Sequence, residues 1–390
     1  MTEPVSLIDE VRSEDIRRLL LSWFERNARE LPWRQGRSAY SVWISEIMLQ
    51  QTRSEQARPY FERFMERFPT INELARGTID EVLLQWQGLG YYARARNLHG
   101  AAQLVVREHG GTFPSTMDEA RRLPGVGPYT ASAVLSIAYG VPHAAVDGNV
   151  VRVISRMFAI DLDPRSSAGG RTISDLAERL LDRDRPGDFN EAMMELGATV
   201  CLPAEPDCDQ CPVSGFCRAF ATRTTDRFPV TRPRERVPHF DVAVSVVIRA
   251  PDEVLIQRRP HEAMLGGLWE FPGGKRRDGE DLRDTCRREM YEELGIEVEP
   301  LNLVCTVRHA YSHFKITLHA FESRIRSGSP RSANGQPLAW VQLDHLDEFA
   351  FPVASLKIIE AIRQLQAESA GASAPSESIG RRSVEVTSHP

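Results

Sequence analysis

Apolar residues recur every three to four positions through most of the first 220 residues, which is the spacing of amphipathic helices. Short polar, Gly or Pro breaks separate these periodic stretches, as expected between consecutive helices. The stretches predicted to be helical are 15–28, 40–66, 78–86, 92–109, 117–122, 128–139, 149–159, 171–182 and 189–199. The sequence therefore predicts an all-α domain over residues 1–220.

The pattern changes after this domain. Residues 221–238, "ATRTTDRFPVTRPRERVP", are rich in Pro and Arg and lack an apolar period, which is typical of an interdomain linker. Beyond them "VAVSVVIR", "EVLIQRR" and "HFKITLHAF" have strand patterns, and helical periodicity returns at 281–294 and 354–367. We expect a second domain at 239–367 that mixes helices and strands. The tail at 368–390, rich in Ser, Gly and Ala, is predicted to be disordered.

Charge and terminal composition limit the possible environments. The formal net charge of −6 excludes a uniformly basic nucleic-acid coat and leaves room only for a local basic surface. The N-terminus, "MTEPVSLIDEVRSED", lacks the apolar core of a signal peptide, and no stretch is typical of a membrane span. We therefore predict a cytoplasmic protein with no membrane contact. Thiols stay reduced there, so six cysteines favour metal binding over disulfides.

Four of the cysteines form a compact cluster at the end of the helical domain. They follow the spacing C-x6-C-x2-C-x5-C within "CLPAEPDCDQCPVSGFC", at positions Cys201, Cys208, Cys211 and Cys217. Thiolates this close in sequence can surround one metal centre, either an iron–sulfur cluster or a zinc ion. The alternative is a set of unrelated buried cysteines.

A glycine-rich turn lies between two helical patterns in "LPGVGPYTASAVLSIAYG", residues 123–140. Gly125 and Gly127, with Val126 between them, would let the backbone approach a phosphate that the next helix's N-terminal amides face. This pattern predicts a helix-hairpin-helix that holds DNA without reading its sequence, with a plain helix–turn–helix joint as the alternative. Asp147 follows just before another helix, where an N-cap is the simple interpretation.

The second domain carries the pattern G-x5-E-x7-R-E-x-x-E-E-x-G between Gly274 and Gly295. Its Glu289, Glu292 and Glu293 fall at i, i+3 and i+4 and so share one helix face. A set of hard oxygen ligands of this kind suits Mg²⁺ with a diphosphate. A solvated acidic helix face is the alternative.

Four stretches of the helical domain carry a resemblance to a known family. "LPWRQGRSAYSVWISEIMLQQT", "GLGYYARARNLH", "AVDGNV" and "FNEAMMELGATVC" together resemble the adenine DNA glycosylase (MutY) family of the endonuclease III-like helix-hairpin-helix superfamily. The resemblance implies an all-α glycosylase domain with a 4Fe-4S cluster loop, followed by an α/β/α Nudix-like domain. It further implies removal of adenine mispaired with 8-oxoguanine or guanine from double-stranded DNA, in base excision repair. We expect a monomer associated with the nucleoid through its DNA substrate.

The resemblance also assigns roles to individual residues. Glu46 is implied to protonate adenine N7, and Asp147 to stabilise the oxocarbenium ion with Tyr129 and Asn149 beside it. The base must leave the stack to be reached. The residues implied to line its pocket are Trp33, Arg34 and Glu191, and those implied to wedge into the duplex are Gln51 and Tyr91. Core aromatics and a surface glutamine are the alternatives for Trp33, Tyr91 and Gln51.

The lysine content bears on the reaction type. Bifunctional members of the superfamily form a Schiff base through a hairpin lysine, and Tyr129 stands at that position here. The lysines of this chain are Lys275, Lys315 and Lys357, so the helical domain has none. Without that nucleophile we expect hydrolysis by water and no efficient strand cleavage.

"GLWEFPGGK" completes a Nudix box that resembles the 8-oxo-dGTP pyrophosphohydrolase (MutT) family. In adenine glycosylases such a domain recognises 8-oxoguanine, and "RHAYSHFKITLHAF" implies contacts from Tyr311, Ser312 and His313. Ser312 alone could be a turn serine. Two hypotheses follow: lesion recognition with the box as a remnant, or additional Mg²⁺-dependent hydrolysis of 8-oxo-dGTP. A non-catalytic lesion binder would be expected to lack Glu46 or Asp147, and both are present.

Overall fold

The computed structural model describes residues 10–230, 237–249, 252–311, 313–371 and 384–387. Its contacts divide the chain into two compact units. One falls within Met1–Gly77 and Asn97–Arg234, and the other within Thr78–Arg96 and Glu235–Pro390. None of the described helices is both long and apolar enough to cross a membrane.

The first part of the chain is helical throughout, as its periodicity predicts. Its α-helices are α1 (Glu10–Asn27), α2 (Ala39–Leu49), α3 (Ser54–Arg67), α4 (Ile71–Arg76), α5 (Ile79–Trp86), α6 (Ala93–His109), α7 (Met117–Ala120), α8 (Pro128–Tyr139), α9 (Gly148–Phe158), α10 (Ser167–Leu180), α11 (Pro186–Thr199) and α12 (Arg218–Ala221). Short 3-10 turns lie at Pro32–Arg34, Ser214–Phe216 and Thr225–Arg227.

The predicted helix 40–66 is wrong as a single element. The chain leaves the helix at Gln50, and Gln51 takes a left-handed φ of 58° before α3 begins. Apolar spacing continues across this break because α2 and α3 both bury a face, so periodicity alone does not show it. The break separates α2, which is buried along nearly its whole length, from the more amphipathic α3.

The core of the first unit forms where α1, α9, α10 and α11 meet. Leu20, Ile154, Leu180 and Leu196 are almost fully buried in this cluster. Burial of such side chains stabilises the fold by about 1.5–3 kcal/mol each. This packing holds the start of α9 and the length of α11, which both carry functional side chains, in fixed positions.

The second unit contains one mixed sheet. Its strands are β1 (His239–Arg249), β2 (Glu253–Arg258), β3 (Trp269–Glu270), β4 (Gly273–Lys275), β5 (Glu297–Ala310), β6 (Lys315–Ser327), β7 (Leu338–Gln342) and β8 (Val384–Thr387). The helices in the same part of the chain are α13 (Leu282–Leu294) and α14 (Val353–Gly371), and the segment Thr78–Arg96 adds α5 and the start of α6 to this unit. The strand order is β3-β2-β1-β6-β5-β8, with β4 paired to β1 and β7 to β2. β1 runs parallel to β6, and β5 antiparallel to β6.

Helices α13 and α14 cover opposite faces of this sheet. Val246 of β1 packs in one cluster with Ile358 of α14, whereas its neighbour Val247 packs in another with Met290 of α13. Successive strand residues point to opposite faces, so the alternation places one helix on each side. The predicted α/β/α architecture is therefore confirmed.

The predicted linker and tail lie only partly within the described residues. Residues 231–236 of the stretch 221–238 lie outside them, and the turn Thr225–Arg227 lies at its beginning. Of the tail 368–390, the end of α14 and the strand β8, which pairs with β5, are described. The remainder, residues 372–383 and 388–390, lies outside the described ranges.

Candidate active site

The site is centred on Glu46, in the middle of α2. Its neighbours Trp43, Ile44 and Ile47 are almost completely buried, so the helix takes Glu46 with it into the interior, where it is 6% exposed. A carboxyl group in such surroundings resists ionisation unless donors or cations compensate.

Tyr129 supplies the main donor. It follows Pro128 in the first turn of α8, and its hydroxyl donates a hydrogen bond of 2.5 Å to Glu46 Oε2. Gly127 caps this helix and Gly125 takes a φ of 76°, so the glycine turn sets where α8 begins. The predicted hairpin thus directs Tyr129 to the carboxyl group of Glu46.

Asp147 is the N-cap residue of α9, as the simpler interpretation of its position predicted. Its side chain accepts hydrogen bonds from the Val150 amide at 2.7 Å and from Asn149 Nδ2 at 2.8 Å. Arg152 in turn donates to Asn149 Oδ1 at 2.8 Å and to the Cys201 carbonyl at 2.7 Å. A hydrogen-bonded chain therefore joins the cysteine loop to Asp147.

The two carboxyl groups have different electrostatic environments. Burial raises the pKa of Glu46 to about 7; the Tyr129 hydrogen bond opposes this rise, and the nearby charge of Asp147 adds to it. Burial also raises the pKa of Asp147, but the Val150 amide and Asn149 stabilise its charged form. Burial, together with Glu46, raises the pKa of Tyr129 well above its usual value. One carboxyl group is thus suited to carry a proton near neutral pH, and the other to remain an anion.

The predicted pocket residues lie beside this pair. Arg34 Nε donates to Glu191 Oε1 at 3.0 Å, and the charges of both act on the pKa of Glu46. Trp33 is buried, and its ring packs edge-on against Phe61 at a centroid distance of 5.5 Å. Its role in the pocket stays a prediction.

The predicted DNA-contacting residues occupy exposed, conformationally unusual positions. Gly125 and Gly127 are exposed in the hairpin turn, while the side chain of Val126 anchors it in the interior. Gln51 is exposed, and Tyr91 is 40% exposed with a left-handed φ of 49°. Such backbone conformations are costly for non-glycine residues and cluster at functional sites. Their contacts with DNA stay predictions.

Comparison with known proteins agrees with this arrangement. Residues 44–179 match the model of the HhH-GPD superfamily of base excision DNA repair proteins, and residues 243–361 match a NUDIX domain. The rat (Rattus norvegicus) adenine DNA glycosylase is 34% identical over 89% of this chain and 78% of that protein. The chain belongs to the adenine DNA glycosylase family. The Schizosaccharomyces pombe member is 31% identical over 90% of both chains.

A solved structure also resembles this adenine glycosylase family member. A thermostable thymine-DNA glycosylase is 29% identical, with a TM-score of 0.50, and covers 54% of this chain and 98% of its own.

The four clustered cysteines of this family member line one small cavity of about 30 Å³ together with Arg156. Arg156 Nη1 donates to Cys201 Sγ at 3.3 Å. Within the described ranges no group of three or more His, Cys, Asp or Glu side chains is arranged to hold a metal ion. A zinc ion would draw four sulfurs to about 2.3 Å from one centre, whereas cluster cysteines each bind a separate iron. Four cysteine thiols around one cavity are a donor set that suits either an iron–sulfur cluster or zinc, and the family suggests the cluster.

The Nudix box is assembled around Arg288, not around an open carboxylate site. Arg288 donates to Glu280 at 2.7 Å, to Glu289 at 2.5 Å and to Glu292 at 3.1 Å. A Cβ at Gly274 would lie 2.3 Å from the Glu289 carboxyl carbon, so this glycine allows the close approach. Mg²⁺ binding by Glu289, Glu292 and Glu293 stays a prediction.

The remaining members of the box are also engaged. Arg277 pairs with Glu292 at 3.1 Å, and Glu293 accepts a hydrogen bond from Gln257 at 2.7 Å. Burial raises the pKa of Glu293 to about 7. Gly295 ends α13 in the left-handed conformation that the motif's final glycine requires.

Two of the predicted lesion-recognition residues, Tyr311 and His313, lie between β5 and β6. The Tyr311 ring packs against His309 and Phe314 at centroid distances of 4.5 and 4.8 Å, and burial raises its pKa to about 12. His313 is exposed, whereas Ser312 lies outside the described residues. Their contacts with 8-oxoguanine stay predictions.

The sequence patterns do not predict a role for three charged residues at the site: Arg29, Arg152 and Glu195. Glu195 accepts hydrogen bonds from both Arg29 and Arg34, and Arg152 joins Asn149 to the cysteine loop. The available signal is weak: Glu191 and Glu195 are four residues apart on α11, so they share a helix face.

Proposed function

We propose that this protein is a monofunctional adenine DNA glycosylase that removes adenine mispaired with 8-oxoguanine or guanine in double-stranded DNA. The carrying observation is the buried Glu46, whose pKa is raised to about 7, hydrogen-bonded to Tyr129 and near the Asp147 carboxylate. Family membership supports adenine as the base. We further propose that the enzyme acts as a monomer on chromosomal DNA in the cytoplasm.

In the proposed reaction Glu46 gives its proton to N7 of the extruded adenine. The C1′–N9 bond then breaks with its electron pair going to the base, and a positive charge develops on the sugar. Asp147, kept charged by the Val150 amide and Asn149, stabilises that charge. Water adds to C1′ and loses a proton, which gives an abasic site and free adenine.

Glu191 is proposed to receive the adenine. Its buried Oε2 pairs with the Arg37 guanidinium at 2.6 Å and keeps a second lone pair that can accept a further hydrogen bond. A buried acceptor of this kind usually finds a partner. The exocyclic amino group of adenine is proposed to donate a hydrogen bond to this oxygen.

The absence of lysine from residues 1–274 supports hydrolysis without strand cleavage. The residue that follows Pro128 at the start of α8 is Tyr129, and its hydroxyl is committed to Glu46. A phenol has no amine nitrogen, so Tyr129 cannot form the imine on which the lyase reaction depends.

The second unit is proposed to recognise 8-oxoguanine through Tyr311, Ser312 and His313, with the Nudix box as its scaffold. The pairing of Arg288 with three carboxylates supports a scaffold over a pyrophosphohydrolase site. Hydrolysis of 8-oxo-dGTP is the alternative that the intact motif raises.

The cysteine loop is proposed to hold a 4Fe-4S cluster through Cys201, Cys208, Cys211 and Cys217. When bound, such a cluster supplies iron–thiolate bonds that cross-link the loop. Burial raises the pKa of Cys211 to about 12, so that thiol keeps its proton until metal displaces it. Arg152 and Arg156 hold the loop carbonyls against α9.

The test is single-turnover release of adenine from a duplex with adenine opposite 8-oxoguanine. Glu46→Gln should bind the duplex with the affinity of the wild type and release little adenine. Glu62→Gln, the same change on the exposed face of α3, is the matched control and should behave as the wild type. Full activity in Glu46→Gln would refute the acid role.

A further inference from the structure

An alternating series of charges runs along one face of α11. Asp188, Glu191 and Glu195 lie at intervals of three and four residues, so their carboxylates share that face. Arginines from the segment after α1 lie between them. The successive pairs are Glu55–Arg29 at 2.9 Å, Arg29–Glu195 at 2.8 Å, Glu195–Arg34 at 2.9 Å, Arg34–Glu191 at 3.0 Å, Glu191–Arg37 at 2.6 Å and Arg37–Asp188 at 2.6 Å.

Glu195 is the buried centre of this series, with its side chain 1% exposed. Oε1 accepts from the Arg29 amide and from Arg29 Nε, and Oε2 accepts from Arg29 Nη2 at 3.1 Å and from Arg34 Nη2 at 2.9 Å. Although burial favours the neutral form, the hydrogen bonds from Arg29 and the charge of Arg34 hold the pKa of Glu195 below its usual value. Glu195 is therefore an anion throughout the working pH range.

Glu195 fixes the position of Arg34. The guanidinium of Arg34 is held at Nη2 by Glu195, at Nε by Glu191, and at Nη1 by the Arg29 carbonyl. It also lies over the Phe24 ring at 5.1 Å. A planar guanidinium held at three nitrogens has one orientation, so its charge has a fixed place beside the site.

That place matters because few charges face Glu46. The charges come from three elements: Asp147 before α9, Glu191 on α11 and Arg34 in the turn Pro32–Arg34. Tyr129 on α8 faces Glu46 as a neutral hydrogen-bond donor. Arg34 is the cation in this set and favours the ionised form of Glu46, whereas the two acids favour the protonated form. Removing the anion that balances Arg34 would therefore favour loss of the proton that Glu46 must donate.

We propose that Glu195 is a positioning residue for adenine excision: it holds Arg34 between itself and Glu191 and balances the positive charge beside the catalytic acid. Glu195 influences the reaction indirectly, through Arg34 and Glu191. The proposal rests on the proposed role of Glu46 as the acid, and it assigns the buried ion pairs a function beyond stability.

The test compares the pH dependence of single-turnover adenine release in two variants. Glu195→Gln removes a negative charge, so the decline of the rate at alkaline pH should move to lower pH, and release near pH 8 should be about 3- to 10-fold slower. Arg29→Gln removes a positive charge from the same carboxylate, so the decline should move to higher pH. Glu55→Gln changes the exposed end of the series, 72% exposed, and should leave the profile unchanged.

The opposite signs separate the proposal from a structural role. If both variants lower the rate at every pH without moving the decline, or move it in the same direction, the proposal is overturned. If Glu195→Gln does not fold, Arg29→Gln alone tests the proposal, which requires its alkaline decline in rate to move to higher pH. The proposed function would be refuted by different results. These are no adenine release by the wild type, or a pH dependence of adenine release that persists in Glu46→Gln.

Discussion

Replacing Tyr129 by Phe removes the donor on Glu46 and keeps the ring. The hydroxyl donates at 2.5 Å and opposes the rise of the Glu46 pKa, which stands at about 7 with the bond present. A hydrogen bond to a charged group contributes about 1.5–3 kcal/mol, and one pKa unit corresponds to about 1.4 kcal/mol. Tyr129→Phe should therefore raise the pKa of Glu46 by about one to two units.

The assay is single-turnover adenine release from about pH 5.5 to about pH 9.5. Because Glu46 is proposed to act in its protonated form, the wild-type rate should fall as pH rises through about 7. In Tyr129→Phe the fall should begin about one to two pH units higher. The rate at acid pH reports separately on any stabilisation that the hydroxyl gives to the developing sugar cation.

Tyr40→Phe is the matched control. Its hydroxyl is also buried and donates a hydrogen bond of 2.7 Å, but to the Phe68 carbonyl, not to Glu46. It should leave the pH at which the rate falls unchanged. A profile for Tyr129→Phe that stays in place, or that moves to lower pH, would refute the electrostatic account of Glu46.

Three further outcomes follow from the structure. Glu46→Gln should become more stable than the wild type as pH rises from about 4.5 to about 7, by up to about 3 kcal/mol in thermal or urea unfolding, because the raised pKa makes ionisation destabilising. A constant stability difference across that range would contradict it. Arg152→Gln should slow adenine release by up to about 100-fold with little change in duplex affinity, because Asn149 loses the hydrogen bond that holds its side chain beside Asp147. An unchanged rate would show that the hydrogen bond from Arg152 to Asn149 is dispensable. Neither the wild type nor Glu292→Gln should release pyrophosphate from 8-oxo-dGTP with Mg²⁺, and release lost in that variant would show an active box.

Sequence periodicity predicts most of the fold because each helix and strand buries one face. The alternation in β6 and the spacing in α13 and α14 are local properties, and they predict a domain that mixes helices and strands. The placement of one helix on each face of the sheet is implied only by the resemblance to Nudix domains. The N-cap role of Asp147 is local as well, and the structure confirms it. The break at Gln51 is not visible in the same way, because both flanking helices continue the apolar period.

Contacts of the site depend on distant parts of the chain. Glu46 and Tyr129 are 83 residues apart, and Arg34 and Glu195 are 161 apart. On helical spacing alone, Glu46 would be an ordinary solvated carboxylate, and only the resemblance to the adenine glycosylase family assigned it a role. The burial of Glu195 is not predicted by the sequence, because nothing local distinguishes a buried glutamate from an exposed one.

The electrostatic difference between the two proposed catalytic carboxyl groups follows from how many hydrogen-bond donors reach each one. Both are buried, which favours the neutral form of both. Asp147 begins a helix, so the free amides of the first turn and the side chain of Asn149 stabilise its charge. Glu46 lies within a helix whose amides are already paired, and the Tyr129 hydroxyl is its one hydrogen-bond donor in the described part of the chain. Placing one acid at a helix start and the other inside a helix therefore gives the first more stabilisation of its charged form, as the proposed division between an anion and a proton donor requires.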